Sequence, residues 1–174
     1  GEVDAAFANA ARTVEATYRV PHQNHACMEP MNATAVWTED KCEVWCPTQN
    51  GEAALGAASE AAGLPIEQCD VYKLLLGGGF GRRGMSDYVT QVVKIAKEMP
   101  GTPIKLLWTR EEDMQHGFYH PTTRARCEGA LDADGNLTAI KIRIAGQSIL
   151  AGLMPQALQN GMDPFAFQGL LPSG

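Results

Sequence analysis

The sequence predicts an α+β protein with helices on a mixed sheet. Three observations carry that expectation. Strand-like and helix-like runs follow one another irregularly, without the strict alternation of a parallel α/β chain. Two pairs of strand-like runs are joined by turn-forming segments, 39–41 and 132–136, and so read as hairpins. Two longer runs, after Asn50 and after Ser86, repeat their apolar residues at helical period.

In chain order, Asp4 reads as the cap of a short helix through Arg12, where Ala5, Ala6, Ala8 and Ala11 are strong helix formers. Residues 13–20 alternate as a strand does, and 33–38 form a second. Glu39-Asp40-Lys41 turns the chain into a third strand over 42–46. Pro47-Thr48-Gln49-Asn50 opens a helix to about Ala62, with Ala54, Leu55, Ala58 and Ala61 on one face, and Gly63 and Pro65 stop it. A strand is expected over 69–76, and a helix over 87–99 with Val89, Val92, Val93 and Ala96 inward. Residues 104–108 read as a strand, and Thr109 with Glu112 has capping-box spacing for a helical turn. Strands over 122–131 and 137–147 flank Asp132-Ala133-Asp134-Gly135-Asn136, a hairpin turn.

The segment richest in chemical information is Gly77-Gly78-Gly79-Phe80-Gly81-Arg82-Arg83-Gly84. Five glycines in these eight residues strip side chains from a place where main chain must approach something closely. Exposed N–H groups, two arginines and a following helix suit an anion, most often a phosphate. The spacing is not that of a nucleoside-triphosphate loop, because Ser86 follows Gly84 without the lysine. Gly79 to Gly84 matches G-x-G-x-x-G by count, yet no acidic residue stands at a strand end about 20 residues on, where a ribose contact would need it. A tight β–α turn with surface arginines is the plain alternative.

The 174 residues carry a net charge of −6, with 45% hydrophobic and 20% charged residues, an ordinary globular composition. That balance disfavours non-specific nucleic-acid binding. No apolar run is long enough to span a membrane. Cys27, Cys42, Cys46, Cys69 and Cys127 follow no iron–sulfur, zinc or disulfide spacing and read as buried free thiols, Cys42 and Cys46 on one strand face. His25 and Glu29, with His22 as a loose third member, lack a clear ligand set, so no metal site is expected. His116 and His120 read as part of a surface or interface loop, and Arg110 as part of a charged helix start.

Taken together, three segments resemble one family. These are Pro47-Thr48-Gln49-Asn50 before a helix, Gly77-Gly78-Gly79-Phe80-Gly81 after a strand, and Trp108-Thr109-Arg110-Glu111-Glu112-Asp113-Met114. They look like the molybdenum-cofactor-binding subunit of the xanthine dehydrogenase and aldehyde oxidase family. The run from His25 to Ala35, Arg82-Arg83 and His116-Gly117-Phe118-Tyr119 bring the resemblance nearest to the isoquinoline 1-oxidoreductase β-subunit branch. It covers residues 1 to about 150, the expected partial cofactor-binding domain, with 151–174 an apolar tail leading into the rest of a subunit.

The resemblance implies a bacterial molybdenum hydroxylase whose cofactor is molybdenum-molybdopterin, usually as its cytosine dinucleotide. Such an enzyme inserts water-derived oxygen into an aldehyde or an N-heterocycle and sends electrons to iron–sulfur clusters on a separate subunit. By resemblance Gln49 contacts the metal's oxo group, and Gly79, Phe80 and Gly81 lie against its ligands. Gly78, Arg82 and Arg83 complete the expected cofactor-binding set. Gly84 stands where purine-oxidising relatives carry a glutamate, which argues against xanthine. The family's catalytic glutamate lies in a later segment, so no catalytic residue is expected here and the chain by itself is expected to be inactive. Two other classes stay open: a nucleotide- or phosphate-binding module without redox chemistry, and a subunit-assembly domain. The apolar stretches Ala151-Gly152-Leu153-Met154-Pro155 and Phe165-Ala166-Phe167 predict self-association of the isolated chain. A periplasmic or a cytoplasmic bacterial parent fits equally.

Overall fold

The computed structural model describes residues 1–166; residues 167–174 of the expected apolar tail, Phe167 among them, lie outside the described residues. In order, the elements are α1 (Val3–Ala8), β1 (Arg12–Val20), β2 (Gln23–Asn24), β3 (Asn32–Trp37), β4 (Cys42–Cys46), α2 (Gly51–Ala62), β5 (Cys69–Lys73), α3 (Asp87–Lys97), β6 (Ile104–Leu107), α4 (Arg110–His116), β7 (Tyr119–His120), β8 (Thr123–Leu131), β9 (Leu137–Gly146) and α5 (Ile149–Leu153). The α+β class expected from the sequence is the class found. The chain forms two compact units, one from Asn24–Tyr119 and one from Gly1–Gln23 with His120–Gly174.

The Asn24–Tyr119 unit is built on a four-stranded mixed sheet of order β5-β4-β3-β6. Strands β3 and β4 form the expected antiparallel hairpin, β6 pairs antiparallel with β3, and β5 runs parallel to β4. Ala33, Ala35, Cys42, Val44 and Cys46 are buried on one face and share a core with Ala54, Ala58 and Ala61 of α2 and Val89, Val92, Val93 and Ala96 of α3. Small side chains on both layers let the helices approach the sheet closely. Asn50 caps α2 by accepting a hydrogen bond from Ala53 N at 3.1 Å, and Gly63 ends it with φ of 70°, a left-handed stop that a glycine adopts without strain.

The other unit carries an antiparallel sheet of order β1-β8-β9. The β8–β9 hairpin closes through Asp132, whose carboxylate accepts from Asp134 N at 3.0 Å and Asn136 N at 2.9 Å.

Three expected boundaries are corrected. Helix α1 ends at Ala8 and Arg12 already belongs to β1, because Ala11 N donates to Leu131 O and strand pairing overrides alanine propensity. Asp4 is not its cap; it pairs with Lys141 at 2.6 Å. Strand β5 stops at Lys73 rather than running to Leu76, since its parallel partner β4 ends at Cys46, before Pro47.

Candidate functional site

Strand β5 delivers the glycine loop beside the Pro47-Thr48-Gln49-Asn50 turn that opens α2. The loop reaches its shape through left-handed backbone at Gly78 (φ 99°), Phe80 (52°) and Gly81 (97°). A phenylalanine there is strained by about 1–2 kcal/mol, and such strain concentrates where a protein does something other than fold. Phe80 is nonetheless 67% exposed.

Gln49 is the centre of the arrangement. Its Oε1 accepts from Gly81 N at 3.0 Å and Arg83 N at 3.2 Å, while its main-chain N donates to Arg83 O at 3.0 Å. With the amide oxygen so occupied, the amide nitrogen is the free end, a donor without an acceptor among the described residues. Gly79 packs under it: a Cβ there would lie 2.5 Å from Gln49 Oε1. The main-chain N–H groups of Gly78, Gly79 and Phe80 have no acceptor among the described residues, and Gly79 is buried. Buried main-chain donors are nearly always satisfied, so the Gly79 N–H calls for an acceptor from outside the loop, with those of Gly78 and Phe80 beside it.

The two arginines stand differently from an anion-binding pair. Arg83 is fully buried and its guanidinium is spent inside the protein: Nε donates to Gly78 O at 2.8 Å, and Nη2 to Glu29 O at 2.6 Å and Glu29 Oε2 at 2.9 Å. Glu29 Oε2 also accepts from Gly77 N at 3.0 Å. Arg82, 2% exposed, forms a bidentate pair with Asp87 at 2.8 Å, with its guanidinium carbon 5.5 Å from the Trp108 ring centre and 5.2 Å from that of Phe118. Arg82 and Arg83 thus hold the loop from within, and what they turn to a ligand is main chain. A 3₁₀ turn over Arg82–Gly84 separates the loop from α3, so the loop does not open directly onto that helix's N-terminus.

The remaining sequence-marked residues support the same turn. His25 Nδ1 lies 3.0 Å from Phe118 O. Cys27 donates its thiol to Gly79 O at 3.5 Å, and burial pushes that thiol's pKa up, opposed by the nearby Arg83 charge. Arg110, read from the sequence as a helix-start charge, sends Nη2 to Cys27 O at 2.6 Å and Met28 O at 2.9 Å. That contact spans more than eighty positions and no local pattern announces it. Thr109 caps α4 as its spacing suggests, accepting from Glu112 N at 3.1 Å. Among the described residues no group of three or more His, Cys, Asp or Glu is placed to hold a metal ion, and no helix is long and apolar enough to cross a membrane.

The loop surface is therefore a donor surface: three main-chain N–H groups and one amide NH2 beside an exposed aromatic ring, with the Glu29 carboxylate paired to Arg83. Such a surface binds and polarises an oxygen-rich ligand.

The family model described as the molybdopterin cofactor-binding domain matches residues 1–162. The chain is 31% identical over 133 residues to isoquinoline 1-oxidoreductase subunit beta of Brevundimonas diminuta, covering 75% of this chain and 17% of that protein. It is 30% identical over 162 residues to the membrane-bound aldehyde dehydrogenase [pyrroloquinoline-quinone] of Gluconacetobacter polyoxogenes, covering 92% of this chain and 21% of that protein. The chain thus spans about a fifth of these relatives. Among solved structures, the aldehyde oxidoreductase from Desulfovibrio gigas superposes with a TM-score of 0.60 at 24% identity, over 84% of this chain and 16% of that one, and so shares the fold.

Proposed function

The chain belongs to the molybdopterin cofactor-binding domain family, and from that membership we propose that it serves a molybdenum hydroxylase as part of the cofactor-holding subunit. The whole protein would hydroxylate an aldehyde or an N-heterocycle with oxygen from water and pass two electrons to iron–sulfur clusters on another subunit. The names of the two relatives, an aldehyde dehydrogenase and an isoquinoline oxidoreductase, support that choice of substrates. Gly84, with no carboxylate to orient a purine, supports the same choice.

The observation that carries the reading is the row of unpaired N–H groups at Gly78, Gly79 and Phe80 beside the free amide nitrogen of Gln49. A molybdopterin offers oxo and phosphate oxygens, all acceptors, and the glycines leave room for a bulky group, so the residues present fit the cofactor. When bound, that group supplies the two-electron oxidation. Gln49 would donate from its amide nitrogen, Gly78, Gly79, Phe80 and Gly81 would line the cradle with main chain, and Arg82 and Arg83 would fix the cradle's shape. The cytosine dinucleotide form is part of the same proposal.

One relative's name specifies pyrroloquinoline quinone, and that gives a second reading, since a quinone's carboxylates would also suit a donor surface. One preparation separates them. The full-length protein, purified with its partner, is analysed for molybdenum, for cytidine nucleotide released by acid, and for extracted quinone. Near-stoichiometric molybdenum with cytidine nucleotide supports the hydroxylase. Quinone without molybdenum, or neither, overturns it.

A further inference from the structure

The β1-β8-β9 sheet has two unlike faces, and one gathers arginine. Strand alternation puts Thr17 and Arg19 of β1, Arg124 and Arg126 of β8, and Arg143 of β9 on the same side. Register sets Arg19 directly opposite Arg124, and Arg126 directly opposite Arg143. Like charges facing each other across strands destabilise a sheet, and here two such pairs stand side by side. Arg126 is relieved by Glu15 at 2.9 Å and Glu128 at 3.3 Å. Arg19, Arg124 and Arg143 have no ion-pair partner among the described residues, and all four arginines are exposed. Half of the chain's eight arginines thus share one face of a protein whose net charge is −6. They border shallow depressions of about 330 Å³ and 240 Å³.

The chemistry of the face selects its occupant. Rows about 5 Å apart across strands and about 7 Å apart along them make a patch the size of two or three carboxylates. Arginine forks bind carboxylates bidentately. The patch lies on three paired strands, of which β8 gives its main-chain N–H groups to both neighbours, and its cations are side-chain guanidiniums rather than the glycine-loop and helix-start amides of phosphate sites. The acidic balance of the whole chain opposes an extended nucleic acid. We propose that this face docks an Asp- or Glu-rich surface of a partner subunit in the assembled enzyme. The proposal rests on the hydroxylase reading, in which the protein works as one subunit of several, as the naming of one relative as a subunit beta also suggests.

The test uses the full-length protein purified together with its partner subunit. Arg124→Lys and Arg143→Lys keep the charge and add an amine that a zero-length carbodiimide couples to a touching carboxylate. The expected result is amide cross-links from positions 124 and 143 to Asp or Glu of the partner, with Arg124→Glu plus Arg143→Glu lowering partner retention at least ~10-fold, the loss of about 1.4 kcal/mol. Links confined to Glu15, Glu128 or other residues of the same polypeptide overturn the proposal, as does an absence of links from these positions in a digest that holds other inter-subunit links. A protein that purifies as a single polypeptide overturns it too. Molybdenum measured in the same sample keeps the two readings apart. Metal without cross-links ends the docking proposal alone, and cross-links without metal end the hydroxylase reading alone.

Discussion

Gly79 and Gly84 lie five residues apart in one turn and differ in what a side chain would meet. A methyl group at Gly79 falls 2.5 Å from Gln49 Oε1, whereas at Gly84 nothing lies within 4 Å. Gly79→Ala is therefore expected to push Gln49 off its seat on the loop. In the full-length protein it should lower retained cofactor severalfold, while Gly84→Ala leaves the content near that of the parent. Equal loss in both, measured as metal per subunit, would mean that Gln49 does not organise the cradle. Arg83 makes a complementary prediction about stability. Arg83→Met removes the donors that hold Gly78 O and Glu29 and leaves the Glu29 carboxylate without its cation. Breaking a fully buried pair costs about 3–5 kcal/mol, and since the Glu29 side chain is 35% exposed the expected loss is nearer 2–3 kcal/mol. A urea titration reads it, and a shift below about 1 kcal/mol would refute the structural role. Arg83→Lys should recover little, because one ammonium cannot serve carbonyls and a carboxylate in three directions.

The four-stranded sheet carries the next two predictions. Asn50 caps α2, so Asn50→Ala is expected to cost about 1 kcal/mol, read by thermal or denaturant unfolding. The same sheet buries Cys42 and Cys46 against the helices, and burial pushes their pKa values from 9.0 up to about 12 and about 11. The sign follows from linkage. A thiol held protonated in the fold and free to ionise in the unfolded chain stabilises fully below its unfolded value, and the stabilisation fades as pH rises through the folded one. Unfolding midpoints should therefore fall from about pH 9 upward, less steeply in a Cys42→Ala plus Cys46→Ala variant, and identical slopes would contradict the assignment. At this scale the sequence was readable wherever the signal was local. The β3–β4 and β8–β9 hairpins, the Asn50 and Thr109 caps and the Gly63 stop all follow from residues within a few positions of one another. What escaped was set by distant partners. Strand β5 ends where β4 stops accepting it, and α1 is cut short by pairing with Leu131. The buried surroundings of Arg82 and Arg83 likewise form only in the folded chain, with Trp108, Phe118 and Glu29 arriving from afar and Asp87 from five residues on.

For the molecule as a whole, each face of the β1-β8-β9 sheet makes its own prediction about association. Opposite the arginines, Tyr18, Ile140, Ile142 and Ile144 are 60%, 52%, 56% and 67% exposed, with Val14 and Val20 beside them. Contiguous apolar patches of this kind mark places where proteins associate. The sequence put self-association at residues 151–167, and Met154 and Phe165 are indeed exposed, yet the isoleucine face gathers more apolar side chains on one regular surface. The isolated chain is expected to self-associate, and Ile142→Lys plus Ile144→Lys should return it toward monomer further than Phe165→Lys does. Light scattering across a concentration series decides between them, and a parent chain that stays monomeric throughout would refute both. Salt separates this behaviour from docking at the arginine face. Ion pairing at exposed arginines weakens as the Debye length shrinks from about 10 Å at 0.1 M to about 3 Å at 1 M. Apolar contact persists in such solutions and strengthens in sulfate. Self-association that dissolves at 1 M salt would therefore belong to the arginines and not to the isoleucines, and would transfer the prediction from one face of the sheet to the other.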